Sequence, residues 1–249
     1  NSSIGIGYQA GLGFQGNNAI AIGNQAGFTT QNSNSIAIGY QSCQNLQQTE
    51  TRAIGTQAGN NSQNSYAISI GSQAGQTNQS AGSIAIGQQS GQNNQGPGSI
   101  CIGQQSGTVF GTNSVAVGFQ ACQTGSASGQ EIVFIGYQAG QCCTGSLGFN
   151  VCLGAQAGQQ QPGGSSVSIG NAAGQFSAGN SCINIGVLSG GLNSSANSVN
   201  IGSSAGYQNC GNQSINIGYG SGEINSGSNS ISIGSLAGNS NLGNNSIAI

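Results

Sequence analysis

The stretch AIAIGNQAG, residues 19–27, recurs with small changes along the whole chain. The glycine at the fifth position of this stretch is the anchor glycine. It recurs in six successive steps of 16 residues from Gly7 to Gly103. The next three steps are of 15, 18 and 18 residues and end at Gly154, and the period of 16 then resumes through Gly234. A fixed period of this length is typical of a solenoid, in which each repeat forms one coil and stacks on its neighbours.

Each repeat predicts one short strand. The residues one and three positions before the anchor glycine are Ile, Val or Leu, with the exception of Arg52. The residue between them is mostly Ala, Ser, Asn or Cys. This alternation is typical of a half-buried strand. We therefore predict an all-β, parallel β-solenoid of the β-roll type, with about 15 coils of 16 residues. Residues 1–249 are expected to be one solenoid within a longer repeat protein, with regular coils in 1–117 and 155–249 and irregular coils in 118–154.

The two faces of the predicted strand have different roles. We expect the aliphatic columns to face inward as a core ladder, which comprises Ile20, Ile22, Ile36, Ile38, Ile84, Ile86, Ile100, Ile102, Ile215, Ile217, Ile231 and Ile233. The small residues then face outward, either as a solvated surface or as a face that another chain approaches closely. Ile132 and Phe134 fall on this small-residue face, which favours an interchain contact there.

Two further columns follow the anchor glycine. Four positions after it, a recurrent glycine predicts a tight corner with a positive φ, at Gly11, Gly27, Gly59, Gly75 and Gly91. Two positions after it, glutamine recurs as a polar ladder at Gln9, Gln25, Gln41, Gln57, Gln73, Gln89 and Gln105. Stacked amides can bond to one another from coil to coil, and the alternative is a stripe that contacts sugars or adheres to a surface.

The composition argues against several classes of function. Only 2% of the 249 residues are charged, the net charge is −2, and the chain contains no His and no Asp. Without His there is no Ser-His or Cys-His pair, and without basic residues there is no field to hold nucleic acid. No apolar run approaches the roughly 20 residues of a membrane-spanning helix. We therefore expect no enzyme activity, no cofactor, no metal site, no nucleic-acid partner and no membrane insertion in this segment.

The few reactive or charged residues allow two local hypotheses. Glu50 stands two positions before Arg52, so either the two form an internal ion pair or Arg52 marks a solvent-directed strand end. The eight cysteines show no metal-ligand spacing, and Cys122 could form a disulfide with Cys142 or Cys143, the alternative being free thiols.

The small net charge of −2 also favours self-association, because it gives little electrostatic repulsion between copies of the chain. We therefore expect a homo-oligomer, either a closed trimer or a filament.

The repeat resembles the head repeats of trimeric autotransporter adhesins, the YadA-like group with its SVAIGxxA pattern. The resemblance rests on SIAIG at 35–39 and 83–87 and SVAVG at 114–118. It implies a left-handed β-roll, three chains side by side, and a role in surface attachment. Similar repeats look like those in fibre proteins of phages and large viruses. The expected location is extracellular, on a cell or virion surface, and the alternatives are a self-assembling extracellular filament subunit and an ice- or glycan-binding solenoid.

Overall fold

The computed structural model describes residues 2–124, 131–142, 149–160, 164–176, 179–192 and 194–249. Over these ranges the chain forms short strands joined by turns, without a helix. It divides into two compact units, Asn1–Gln123 and Thr124–Ile249. The division falls inside the stretch 118–154, where the spacing of the anchor glycines is irregular.

The first unit is a parallel β-solenoid with two layers. Its strands are β1 (Ile4–Ile6), β2 (Phe14–Gln15), β3 (Ile20–Ile22), β4 (Thr30–Gln31), β5 (Ile36–Ile38), β6 (Asn45–Gln47), β7 (Arg52–Ile54), β8 (Asn61–Gln63), β9 (Ile68–Ile70), β10 (Thr77–Gln79), β11 (Ile84–Ile86), β12 (Ile100–Ile102) and β13 (Val115–Val117). The front sheet has the order β1-β3-β5-β7-β9-β11-β12-β13, and the return sheet has the order β2-β4-β6-β8-β10. Each coil therefore contributes one front strand, and several also contribute a return strand.

The second unit repeats the front layer. Its strands are β14 (Val133–Ile135), β15 (Val151–Leu153), β16 (Val167–Ile169), β17 (Ile183–Ile185), β18 (Val199–Ile201), β19 (Ile215–Ile217), β20 (Ile231–Ile233) and β21 (Ile247–Ala248). Neighbouring strands pair in parallel, with Ile215 opposite Ile231 and Asn216 opposite Ser232. On the return side, single bridges such as Phe176 to Leu192 link successive coils. The predicted all-β parallel solenoid is confirmed.

An anchor glycine follows each front strand except β21, and at most of these positions a larger residue would clash with the next coil. Gly87 has a φ of 124°, which L side chains rarely adopt, and an added Cβ would lie 2.6 Å from the carbonyl oxygen of Gly103 in the next coil. The corner glycines four positions on also take positive φ: Gly11, Gly27, Gly59, Gly75 and Gly91 lie between 51° and 61°.

The interior of the coil is lined by the small residues. Ala21, Ala37, Ala53 and Ala85, which stand in the middle of their front strands, are fully buried. Between the first and the last coil, the residue before each front strand is buried as well, as is the Ala or Ser three positions after the anchor glycine. The hydrophobic core of the coil is therefore mainly alanine.

The predicted orientation of the aliphatic columns was wrong. The side chains predicted to form the core lie on the outside, partly or largely exposed: Ile20, Ile22, Ile36, Ile38, Ile84, Ile86, Ile100, Ile102, Ile215, Ile217, Ile231 and Ile233. The reason is the narrowness of the coil. A Cβ added at the corner Gly91 would lie 3.2 Å from the Cβ of Ala85 and 2.6 Å from the Oε1 of Gln95. Two isoleucines per coil cannot enter such a space.

The predicted interchain contact at Ile132 and Phe134 was also wrong. Both side chains are fully buried within their own coil, because they share the inward parity of the alanines. Phe134 packs over the corner Gly140, where an added Cβ would lie 2.7 Å from the ring atom Cε2. Here an aromatic ring fills the position that alanine holds in many other coils.

Glycine at the anchor and glycine in the turn before a strand should respond differently to substitution. Gly87→Ala is expected to lower the free energy of unfolding by about 3 kcal/mol and Tm by about 6–12 °C. The matched control is Gly82→Asn, because Gly82 has a φ of 66° and open space around it, and Asn18 and Asn34 hold the equivalent turn position. Thermal melts by circular dichroism should show little change for Gly82→Asn, and equal losses for both variants would contradict this account.

Candidate functional site

The outer isoleucine face is the main surface feature of the chain. We define it as the first and third side chains of the front strands, and none of them is buried in the described coils. In the first unit Ile54, Ile70 and Ile102 are 39%, 38% and 36% exposed. In the second unit Ile233 is 42% exposed.

Within each unit the aliphatic side chains of this face line up because the strands pair in register. Ile20 lies opposite Ile36, Ile68 opposite Ile84 and Ile100 opposite Val115, so that β-branched side chains stack coil upon coil. Monomeric soluble proteins rarely expose contiguous apolar patches above a few hundred Å². A flat aliphatic surface of this kind is typical of a protein–protein contact.

Aromatic side chains stand beside the face. Tyr8, Tyr40, Phe119, Tyr137 and Tyr219 follow their anchor glycines directly and are exposed. Tyrosine is enriched in protein interfaces, where its ring packs and its hydroxyl stays hydrated. The border of the face therefore has the chemistry of an interface rim.

Arg52 interrupts the face. It takes the first position of β7, between Ile36 and Ile68 on the neighbouring strands, and its side chain is exposed. Its Nη1 donates to the backbone carbonyl oxygen of Glu50 at 2.9 Å. The predicted internal ion pair was wrong, because Arg52 points outward and no contact of its guanidinium with the Glu50 carboxylate occurs among the described residues. The solvent-directed strand end is the arrangement observed.

The corner glutamines form a hydrogen-bonded ladder. Gln25 donates from Nε2 to the Oε1 of Gln9 at 3.0 Å, Gln57 donates to Gln41 at 3.1 Å, and the same bond continues through Gln73, Gln89 and Gln105. These side chains are half-buried. Many of their amide donors and acceptors are bonded within the column, so few remain to bind a ligand.

A second glutamine ladder lies inside the coil, and sequence analysis missed it. Its members are fully buried and stand eight positions after their anchor glycines: Gln31, Gln47, Gln63, Gln79 and Gln95. Gln79 donates to the carbonyl oxygen of Ile68 at 2.8 Å and to the Oε1 of Gln95 at 3.3 Å. The signal was present in the strict 16-residue recurrence of this column, which marks a structural position as clearly as the corner glutamines do.

In three coils of the second unit, the buried amide comes from the front strand and not from the return side. Asn184, Asn200 and Asn216 stand in the middle of front strands and are fully buried, and Asn200 donates to Asn184 at 2.9 Å. The position eight after the anchor glycine carries small side chains there, such as Cys210 and Ser226. One amide therefore enters the interior from the return side in five coils of the first unit, and from the front strand in these three coils.

The cysteines of the described residues are free thiols. Burial raises the pKa of Cys43 and Cys101, and it raises the pKa of Cys122 to about 12. These thiols therefore stay protonated and unreactive at neutral pH. Of the predicted disulfide partners, Cys122 and Cys142 are free, and Cys143 lies outside the described residues.

Comparison with known proteins does not assign the chain to a family. No family model matches it, and no curated protein matches it significantly. Within the described ranges, no helix is long and apolar enough to cross a membrane, and no cluster of three His, Cys, Asp or Glu side chains could hold a metal ion.

The interior ladder should matter far more to stability than the corner ladder. Gln79→Leu keeps the volume but leaves buried carbonyl and amide groups unpaired, and should lower the free energy of unfolding by about 2–4 kcal/mol. Gln89→Leu is the matched control. It removes corner-ladder bonds at a half-buried site, and Leu188 and Leu236 occupy the same column with the same positive φ, so its loss should be under about 1 kcal/mol. Urea titrations compare the two, and the account fails if the losses are equal.

Removing the charge from the outer face should not weaken the fold of the coil. Arg52→Ile extends the aliphatic column and gives up one exposed hydrogen bond to a backbone carbonyl. We expect Tm to stay unchanged or to rise, since exposed polar contacts add little to stability. A large fall in Tm, measured by circular dichroism, would show that Arg52 holds the turn at Glu50 in place.

Proposed function

We propose that this chain is a structural segment of an extracellular fibre or adhesin that works as a homo-oligomer, joined through the outer isoleucine face. The observation that carries the proposal is the position of the large aliphatic side chains. They lie outside the coil in continuous columns, whereas the interior holds alanine and amides. The resemblance to YadA-like head repeats supports three chains side by side, on a cell or virion surface.

A second copy is the partner that fits this face best. The face is nearly uncharged, so identical faces can meet without electrostatic repulsion. Most coils within each unit present Ile, Val or Leu at the same two positions, so a parallel copy finds matching side chains along that unit. With about 4.8 Å between strands and 3.3 Å per residue, eight three-residue strands cover on the order of 400 Å² in projection. Standard interfaces bury about 800 Å² of accessible surface per partner, so each unit supplies a substantial share of one.

The chemistry of the remaining surface supports a structural role over catalysis. The chain has no His or Asp, and its three Glu residues stand far apart in the sequence. A nucleophile here would have neither a general base nor a metal. We therefore propose attachment and scaffolding, rather than a reaction, as the work of this segment.

Two other roles use different surfaces or a different symmetry. A self-assembling filament would use the same face with an open arrangement, which gives no single mass, whereas a closed trimer gives one. An ice- or glycan-binding role would use the return side, where amides such as Asn209 and Asn225 stack at 2.9 Å on an exposed surface. Chemical cross-linking with mass measurement separates trimer from filament, and an ice-growth assay tests the third role.

Polar substitution of the outer face should weaken association without unfolding the coil. The double change Ile86→Thr and Ile102→Thr keeps β-branched side chains in β11 and β12 and makes the face polar. We expect self-association to weaken at least about tenfold, since two apolar contacts are lost per copy. Sedimentation velocity measures the association, and circular dichroism verifies the fold.

The matched control changes the return sheet instead. Asn45→Thr with Asn61→Thr places the same residue type in β6 and β8, where Thr77 already holds the equivalent position. This variant should associate as the unsubstituted chain does. A monomeric unsubstituted chain, or a threonine face that associates normally, would refute the proposed interface.

A further inference from the structure

Arg52 is the only cation of the chain, and it stands on the one face that is otherwise aliphatic. A guanidinium carries five N–H donors. Among the described contacts only Nη1 is bonded, to the neutral carbonyl oxygen of Glu50. In the isolated chain, water hydrates the other donors. Once another copy covers the face, that water is removed and the charge needs an acceptor.

A carboxylate lies at the same level of the solenoid. Glu50 belongs to the turn that leads into β7, where its φ of 58° places it in the left-handed region, and its side chain is half-buried. Neither its carboxylate nor the charge of Arg52 is neutralised by the other in the described contacts. The coil therefore presents one positive and one negative group, close together in sequence and both available at its surface.

We infer that Glu50 and Arg52 set the register of the assembly, each guanidinium being paired with the Glu50 carboxylate of a neighbouring copy. The inference rests on the proposed association through the outer isoleucine face. Because all coils present similar aliphatic side chains, hydrophobic contact alone allows copies to slide by one coil or several. Among parallel arrangements, only the in-register one brings a carboxylate level with every guanidinium.

A shifted register is penalised because it leaves the guanidinium in a desolvated aliphatic contact. Unpaired charges in an interface are strongly unfavourable, and a single polar group in an apolar seam is a known way to fix the alignment of identical chains. The nearly complete absence of other charges makes this coil the one place where electrostatics can select an alignment. In the second unit Glu131 takes the equivalent turn position, but the first residue of β14 is Val133, so that coil lacks the cation.

Charge reversal with complementation tests the inference. Arg52→Glu produces chains with two acidic groups at this level, and Glu50→Arg produces chains with two basic groups. Each variant alone should self-associate at least about tenfold more weakly than the unsubstituted chain, because like charges then meet. An equimolar mixture should associate more tightly than either variant alone, since opposite charges then face one another across two of the three contacts of a mixed trimer.

The controls separate this inference from the proposed function. Glu131→Arg makes the same charge change at the same turn position in a coil without a cation, and should leave association unchanged. Circular dichroism establishes that each variant is folded, and Arg52→Gln, which only removes the charge, replaces Arg52→Glu if that variant does not fold. Its self-association should then lose the salt dependence that we expect for the unsubstituted chain between roughly 0.05 and 1 M NaCl.

Sedimentation equilibrium of each variant and of the mixture gives the result. A mixture that associates no better than its two components would overturn the inference, as would an Arg52→Glu chain that assembles normally. In either case the threonine substitutions on the outer face would still report on the proposed function separately. An unsubstituted chain that stays monomeric would refute both.

Discussion

The structure depends on the narrow interior of each coil. Backbone from the front strand and from the corner approach so closely that Ala85 and Gly91 leave no room for a larger pair of side chains. Several coils take in one large side chain, such as Gln95, and the coil of β14 takes in two, Ile132 and Phe134. The other large side chains of the front strands point outward, and this sets which face of the front strand is apolar. The outer isoleucine face is thus a consequence of the interior.

Buried amides suit this interior because they satisfy its backbone. Each interior glutamine donates to a front-strand carbonyl of its own coil, as Gln31 does to Ile20 at 2.7 Å, and several also bond to the next glutamine. A buried polar group is favourable only when its partners are in place. A slip of one residue would remove the whole set of bonds, so the ladder specifies the stacking of the coils where hydrophobic contact between alanines specifies little.

The sequence was sufficient for the fold class and insufficient for the faces. The period of 16, the strand and the glycine corners could be predicted from recurrent glycines such as Gly87 and Gly91, which both take a positive φ. Alternation alone cannot say which parity faces inward, because Ile and Ala both occur in cores. The decisive clues were the corner glycines, which indicate a close approach to the strand, and the Gln31–Gln95 column, whose regularity indicates a packed position. Phe134 was misplaced with the alanines because it shares their parity.

A coil built in this way buries its alanines but leaves its larger apolar side chains on the outside. Burial of alanine contributes little, since hydrophobic stabilisation scales with apolar area removed from water, whereas isoleucine offers the largest area on each front strand. In the isolated chain that area stays partly in contact with water. Association of copies through this face would remove it from water, so that folding and assembly would draw on the same side chains. In such an assembly the opposite charges of Glu50 and Arg52 would matter out of proportion to their number, because the aliphatic columns would supply affinity but repeat too evenly to define an alignment.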